Sequence, residues 1–372
     1  MARKTMRGSG SLERIREMTT ALHMSRPMLV AGERLAAVFA ARTGLRPPCF
    51  SGYHANPDLE DCVSGRELYL REGCDGLISL GGGSAMDTAK GVKALVLAED
   101  ADQALTLCFR DMPLPHIAIP ATAGTGAEAT QFAVLYRGQA KISLSHPALL
   151  PEGVMLDASL LDTLPDYHRK SCALDALCQG IESYWAKGAT EDSRVNAYLA
   201  VTGVLANLRP YLAGDKRAAE EMLEAAYRSG RAIQVSRTTA AHAMSYCLTQ
   251  LLGIAHGHAC ALTLPALWAR MEEDADCLPV LMELASRMGL GSERMGSRLL
   301  RGLLTDLGME VPMPSPEVLD ELAASVNAER LSNHPQPLSQ AQLRAVYEEA
   351  FTPLNENRRQ MCLDLWRYYG RA

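Results

Sequence analysis

The run Gly76-Leu77-Ile78-Ser79-Leu80, followed at once by Gly81-Gly82-Gly83-Ser84 and then by Ala85-Met86-Asp87-Thr88-Ala89-Lys90, decides the fold of this chain. A short apolar run bounded by glycines is a buried-strand pattern, and the stretch behind it opens a helix. Between the two, successive glycines let backbone N–H groups approach a phosphate, and the helix N-terminus adds the positive end of its dipole. A pyrophosphate suits such a turn, although three glycines after a strand also make a plain tight turn. A second loop, Pro120-Ala121-Thr122-Ala123-Gly124-Thr125-Gly126-Ala127-Glu128, follows another apolar strand, His116–Pro120. Two loops after successive strands lie together along one edge of an open α/β sheet, where such folds bind ligands, and the pair points to a dinucleotide.

Outward from these loops the same alternation continues, with Met28–Ala31 before Arg34–Ala41, and Gly76–Leu80 before Ala85–Leu97. It predicts a mostly parallel sheet covered on both faces. Beyond Leu160-Leu161-Asp162-Thr163-Leu164-Pro165, apolar residues recur every three or four positions through Ala173–Trp185, Ala197–Leu205 and Glu220–Ile233, which predicts helices alone. The expected architecture is therefore an α/β dinucleotide-binding domain over residues 1–165 and an all-helical domain over 166–372, facing each other across a ligand cleft. Leu354–Tyr369 reads as a closing amphipathic helix.

Composition narrows the function. The 372 residues are 48% hydrophobic and 22% charged, enough for two cores, and the formal net charge of -6 gives no footprint for nucleic acid. Arg3, Lys4 and Arg7 have no apolar run behind them, and no stretch is long enough to span a membrane, so neither a signal peptide nor an anchor is expected. Ten scattered cysteines with no Cys-x-x-Cys pair suit reduced thiols in a cytoplasmic protein, serving as small apolar side chains.

Asp175 and Gln179 lie four apart in one helical stretch and so share a face. His242 lies in a second helical stretch and His256 in a turn-like segment fourteen residues on. A carboxylate and two imidazoles are a ligand set for a divalent ion with open positions to polarise a carbonyl, while each histidine alone would also suit a core or surface role.

These residues resemble the iron-containing, or group III, alcohol dehydrogenases, whose relatives include glycerol dehydrogenase and dehydroquinate synthase. Gly81–Lys90 is similar to that family's Gly-Gly-Gly-Ser-x-x-Asp-x-Ala-Lys motif, and Pro120–Glu128 to its Pro-Thr-Thr-x-Gly-Thr-Gly-Ser-Glu loop. The resemblance covers nearly the whole chain. It implies a dehydroquinate synthase-like fold, with nucleotide contacts from Gly32, Gly81, Gly82, Gly83, Ser84, Asp87, Thr122 and Thr125. It also implies an Fe2+ or Zn2+ site, because the family's aspartate and three histidines map onto Asp175, Gln179, His242 and His256. Gln179 departs from that pattern, and a neutral amide oxygen is a weaker donor than imidazole, so looser metal binding or a changed preference is expected. Tyr246 stands where the family often has a proton-handling histidine, and Tyr246 or His258 is expected to pass a proton through water. Met28–Ala31 leads into Gly32 with no acidic residue at the strand end, which favours NADP(H) over NAD(H). A homodimer is expected by analogy.

Ser236-Arg237-Thr238-Thr239 just precedes the first metal histidine. Arg237, Thr238 and Thr239 would form an anion site at a helix N-terminus, or equally a plain threonine cap with a solvated arginine. Asp175–Gln179 and Arg237–Tyr246 are similar to the phosphonoacetaldehyde reductase branch of the family, which implies reduction of phosphonoacetaldehyde to 2-hydroxyethylphosphonate by a reduced nicotinamide. The alternatives are another small aldehyde or alcohol, a dehydroquinate-synthase-like lyase, or a non-catalytic nucleotide binder.

Overall fold

The computed structural model describes residues 3–138 and 140–369. The chain divides into two compact units, Met1–Leu164 and Pro165–Ala372. The first unit contains the strands β1 (Lys4–Arg7), β2 (Pro27–Ala31), β3 (Cys49–Phe50), β4 (Gly76–Gly81), β5 (His116–Pro120), β6 (Phe132–Arg137), β7 (Ala140–Ser145) and β8 (Gly153–Leu156). Its helices are α1 (Ile15–Ala21), α2 (Glu33–Thr43), α3 (Leu59–Arg71), α4 (Gly83–Leu97) and α5 (Ala101–Leu105).

Six strands form one sheet in the order β1-β8-β5-β4-β2-β3, every pair parallel. The chain runs from β2 outward to β3, and β4 then returns to the other side of β2. That reversal leaves a crevice at the carboxyl ends of β2 and β4, where Gly32 and Gly81–Ser84 lie. The sheet is buried on both faces, as parallel sheets require, by separate apolar clusters around Val92 and Leu135 on one side and Ile15, Phe39 and Met155 on the other. Central β4 is buried from end to end, which explains its unbroken apolar run.

Two elements differ from expectation. Lys4–Arg7 is the edge strand β1, paired with β8, although its four residues are polar or half-buried. The stretch after the second glycine-rich loop, to which no element was assigned, forms the antiparallel hairpin β6–β7.

The second unit is helical throughout its described residues: α6 (Asp166–Trp185), α7 (Glu191–Leu212), α8 (Lys216–Ser236), α9 (Ala240–Leu252), α10 (His256–Glu272), α11 (Leu278–Arg287), α12 (Arg294–Leu307), α13 (Pro316–Ala324), α14 (Ala328–Leu331), α15 (Gln340–Phe351) and α16 (Glu356–Tyr369). From Ala173 to Trp185 every residue of α6 is buried, so it forms the unit's axis. The spacing of His242 and His256 has a structural cause. Helix α9 ends at Gly253, whose φ of 67° is the left-handed conformation glycine tolerates, and α10 starts three residues later. His256 is thus the first residue of a helix and not part of a turn. None of the described helices is long and apolar enough to cross a membrane.

Candidate functional site

In the N-terminal unit the two glycine-rich loops lie side by side. β4 and β5 pair with Gly81 opposite Pro120, and the Ala121 N–H donates to the Gly81 carbonyl at 2.8 Å. A Cβ on Gly82 would stand 3.2 Å from Thr122 Cγ2, and one on Gly83 would stand 3.3 Å from Thr125 Cγ2. A side chain at either position would press on the threonines, so the two glycines allow the first N–H groups of α4 to lie close beside the threonine loop. Ser84 donates its hydroxyl to the Ala55 carbonyl.

Two other residues of the motif act as buttresses. Asp87, expected at the nucleotide, instead accepts from the backbone N–H of Val134 at 3.2 Å and so ties α4 to β6. Burial raises its carboxyl to about 6, against the pull of Lys90. Lys90 is fully buried and donates to the carbonyls of Ala127 at 2.8 Å and Phe132 at 2.7 Å, fixing the far end of the second loop. Its burial lowers the ammonium to about 8.

In the C-terminal unit, α6, α9 and α10 build a compact polar cluster. Asp175, Gln179 and Glu182 fall on one face of α6 at spacings of four and three. Asp175 Oδ1 lies 3.3 Å from His242 Nε2 and 3.9 Å from His256 Nε2. The approach depends on Gly257: a Cβ there would come within 2.0 Å of the Ser171 carbonyl oxygen and 2.6 Å of Asp175 Cβ. Gly257→Ala should force α10 off α6, costing about 2–3 kcal/mol of stability, read as a lowered urea midpoint, together with a loss of bound metal. An unchanged midpoint would mean that the helices separate without strain.

The hydrogen-bond network fixes the tautomer and orientation of both imidazoles. Glu182, fully buried, accepts from the Thr239 N–H at 3.1 Å, the Thr239 hydroxyl at 2.6 Å and the Ala241 N–H at 2.8 Å. Its other oxygen accepts from His242 Nδ1. That carboxylate caps α9 and leaves the Nε2 lone pair of His242 facing Asp175. Ser245 gives its proton to the His242 carbonyl at 2.8 Å, so His256 Nδ1, 3.1 Å away, donates to Ser245, and its Nε2 also faces inward. Asp175 Oδ1 and His242 Nε2 are buried without hydrogen-bond partners among the described residues. Two aligned lone pairs and an orphaned carboxylate oxygen are what a divalent cation satisfies, so these residues fit the metal.

The electrostatics agree. Burial would raise the Asp175 and Glu182 carboxyls, but His242 in both cases, with Thr239 at Glu182, outweighs it and holds them low. Burial would likewise lower the two imidazoles, yet the anionic side chains around them raise both. The cluster attracts positive charge.

Gln179 is buried in this cluster, its Oε1 accepting from the Ser229 hydroxyl at 2.9 Å while its side chain also bonds to Asp175. Cys260, one turn after His256, does reach the site: its Sγ lies 3.8 Å from His256 Nε2. The donor atoms of Asp175, His242, His256 and Cys260 lie within 4.8 Å of one another. Sequence reading treated Cys260 as an apolar filler and passed over Glu182 as an orienting group. Both carried a signal in their spacing, Cys260 four residues after His256 and Glu182 seven after Asp175.

The expected proton carriers differ in fate. His258 is not placed for the role, because Nε2–H donates to the Met309 carbonyl at 2.7 Å and Nδ1 accepts from the Tyr167 hydroxyl at 3.2 Å. Burial lowers its pKa, consistent with a neutral structural imidazole. Tyr246 stacks on His256 with ring centroids 5.7 Å apart, and its phenol oxygen accepts from Arg330 at 2.5 Å.

The expected anion site is also revised. Glu182 already binds the Thr239 hydroxyl and N–H together with the Ala241 N–H, so a carboxylate from α6 stands where Thr239 was expected to hold an anion. Arg237 and Thr238 remain, exposed and half-buried respectively. Arg237 adopts φ 64° and ψ 176°, a region that residues with a side chain rarely occupy.

Residues 2–158 match the family described as iron-containing alcohol dehydrogenase, and residues 171–351 match the C-terminal domain of the Fe-containing alcohol dehydrogenase family. The phosphonoacetaldehyde reductase of Streptomyces viridochromogenes is 39% identical over 228 residues, an alignment spanning 58% of this chain and 58% of that protein. A probable alcohol dehydrogenase of Escherichia coli, EutG, is 32% identical over 67% of this chain and 68% of its own length. The crystal structure of sulfoacetaldehyde reductase from Bifidobacterium kashiwanohense, in complex with NAD+, superposes with a TM-score of 0.86 at 27% identity, covering 94% of this chain and 97% of that one.

Proposed function

This chain belongs to the iron-containing alcohol dehydrogenase family, and we propose that it reduces a small anionic aldehyde, phosphonoacetaldehyde first among candidates, with a reduced nicotinamide. The observation that carries the anionic substrate is Arg237. Its backbone lies at φ 64° and ψ 176°, a conformation costing about 1–3 kcal/mol, five residues before His242. Strain of that size is retained where the side chain is needed, and a guanidinium pairs with a phosphonate in bidentate fashion. Two relatives named for anionic aldehydes, one carrying a phosphonate and one a sulfonate, support the same reading.

In this reading the glycine-rich turn at Gly81–Ser84 and the threonines of the second loop hold the cofactor's pyrophosphate, and Gly32 stands at the ribose, with NADPH favoured over NADH. A divalent ion held by Asp175, His242 and His256 supplies Lewis acidity to the carbonyl, and the nicotinamide supplies a hydride from C4. Arg237 and Thr238 orient the substrate through its anionic end. Glu182 and Ser245 keep both imidazoles in the ligand tautomer. Tyr246, stacked on His256, delivers the proton that completes the alcohol, directly or through water.

NADPH oxidation by the metal-loaded protein should favour phosphonoacetaldehyde over acetaldehyde by about two powers of ten in kcat/KM, roughly 3 kcal/mol of differential transition-state binding. Matched assays with NADH should show a higher KM for that cofactor. Equal rates on both aldehydes would remove the anionic substrate and keep the reductase. Substrate conversion with no net cofactor oxidation would point to the lyase alternative.

A further inference from the structure

We propose that Cys260 is a ligand of the metal, taking the place that Gln179 leaves, so that the site is Asp175, His242, His256 and a thiolate. The inference rests on the metal reading above and concerns which side chains hold the ion.

Geometry carries it. His256 and Cys260 are four apart on α10 and project from one face of that helix. Cys260 is fully buried, and its Sγ belongs to the group of four donor atoms that lie within 4.8 Å of one another. Metal bonds of about 2.0 Å to nitrogen or oxygen and 2.3 Å to sulfur put tetrahedral donors roughly 3.3–3.6 Å apart. The separations of 3.3 Å from Asp175 to His242, 3.8 Å from Cys260 to His256 and 3.9 Å from Asp175 to His256, in a group whose members all lie within 4.8 Å, would contract around an ion.

Gln179 has a different task. Its amide oxygen accepts from Ser229 on α8, and its side chain bonds to Asp175. It thereby holds the Asp175 carboxylate in position, as an outer partner of a ligand does. The site therefore keeps four protein donors and exchanges an imidazole for a sulfur. A thiolate adds a negative charge and a soft donor, which shifts preference toward zinc and lowers the residual positive charge at the ion.

The test is X-ray absorption on protein loaded with one equivalent of zinc, which reads the ligands independently of catalysis. The expected spectrum contains one sulfur at about 2.3 Å beside nitrogen and oxygen at about 2.0 Å. Cys260→Ser should lose the sulfur shell and bind zinc ten- to a hundredfold more weakly. Gln179→Ala should keep that shell, and so should Cys178→Ser, a control at a buried thiol near Cys260 that is not among the four clustered donors. A wild-type spectrum of nitrogen and oxygen alone, at full zinc occupancy, overturns the cysteine ligand and leaves the metal site intact. Failure to retain zinc at all overturns both. A sulfur shell that survives in Cys260→Ser also overturns the assignment. The wild-type spectrum decides the matter even if that variant does not fold.

Discussion

Glu182→Gln is expected to lower kcat/KM by about two to four powers of ten while the protein stays folded. The amide is nearly isosteric and keeps one carbonyl oxygen for the Thr239 and Ala241 donors, so the cap on α9 survives. Its NH2 group, however, replaces the oxygen that accepts from His242 Nδ1. Two donors cannot face each other, so the imidazole must move its proton to Nε2, which is the atom turned toward Asp175. A protonated Nε2 cannot bind a cation.

Metal content should fall with activity, and nitrogen NMR of the histidines should report the changed tautomer. Glu182→Ala should behave differently, because it leaves several buried donors unpartnered and costs at least about 3 kcal/mol, a large part of a typical domain's stability. Metal content and rate in Glu182→Gln within threefold of the parent protein would show that Glu182 only caps the helix.

Glu182 also shows where sequence reading stops. The strands β2, β4 and β5 and the glycine-rich loops were legible because their signals are local, an apolar run broken by residues that a tight approach demands. Asp175, His242 and His256 were legible through spacing together with the family resemblance. The edge strand β1 was not, since four residues with no continuous apolar face acquire their structure only by pairing with β8, some 150 positions away. The tautomer of His258 is likewise set by Tyr167 and Met309, which nothing near His258 announces. Thr239 is an instructive failure. A threonine before a helix predicts an anion-binding N-terminus well, but a carboxylate from α6 occupies that position first. Local chemistry was read correctly there, and the occupant was misidentified because it comes from another helix.

Arg237 supplies the second large effect, because two substitutions separate its charge from its backbone. Arg237→Ala should raise KM for phosphonoacetaldehyde ten- to a hundredfold, the worth of about 1.5–3 kcal/mol for hydrogen bonds to a charged group, and leave acetaldehyde kinetics unchanged. It should not gain stability, since alanine must still adopt φ 64° and ψ 176°. Arg237→Gly should show the same KM defect while gaining about 1 kcal/mol of stability, because glycine reaches that conformation without strain and loses only part of the gain to its greater freedom when unfolded. The pair of outcomes, equal loss of charged-substrate binding with a gain of stability in the glycine variant alone, is what a residue strained for function predicts. If arginine were there for structure alone, both variants would be less stable than the parent and would handle the two aldehydes in the parent's ratio.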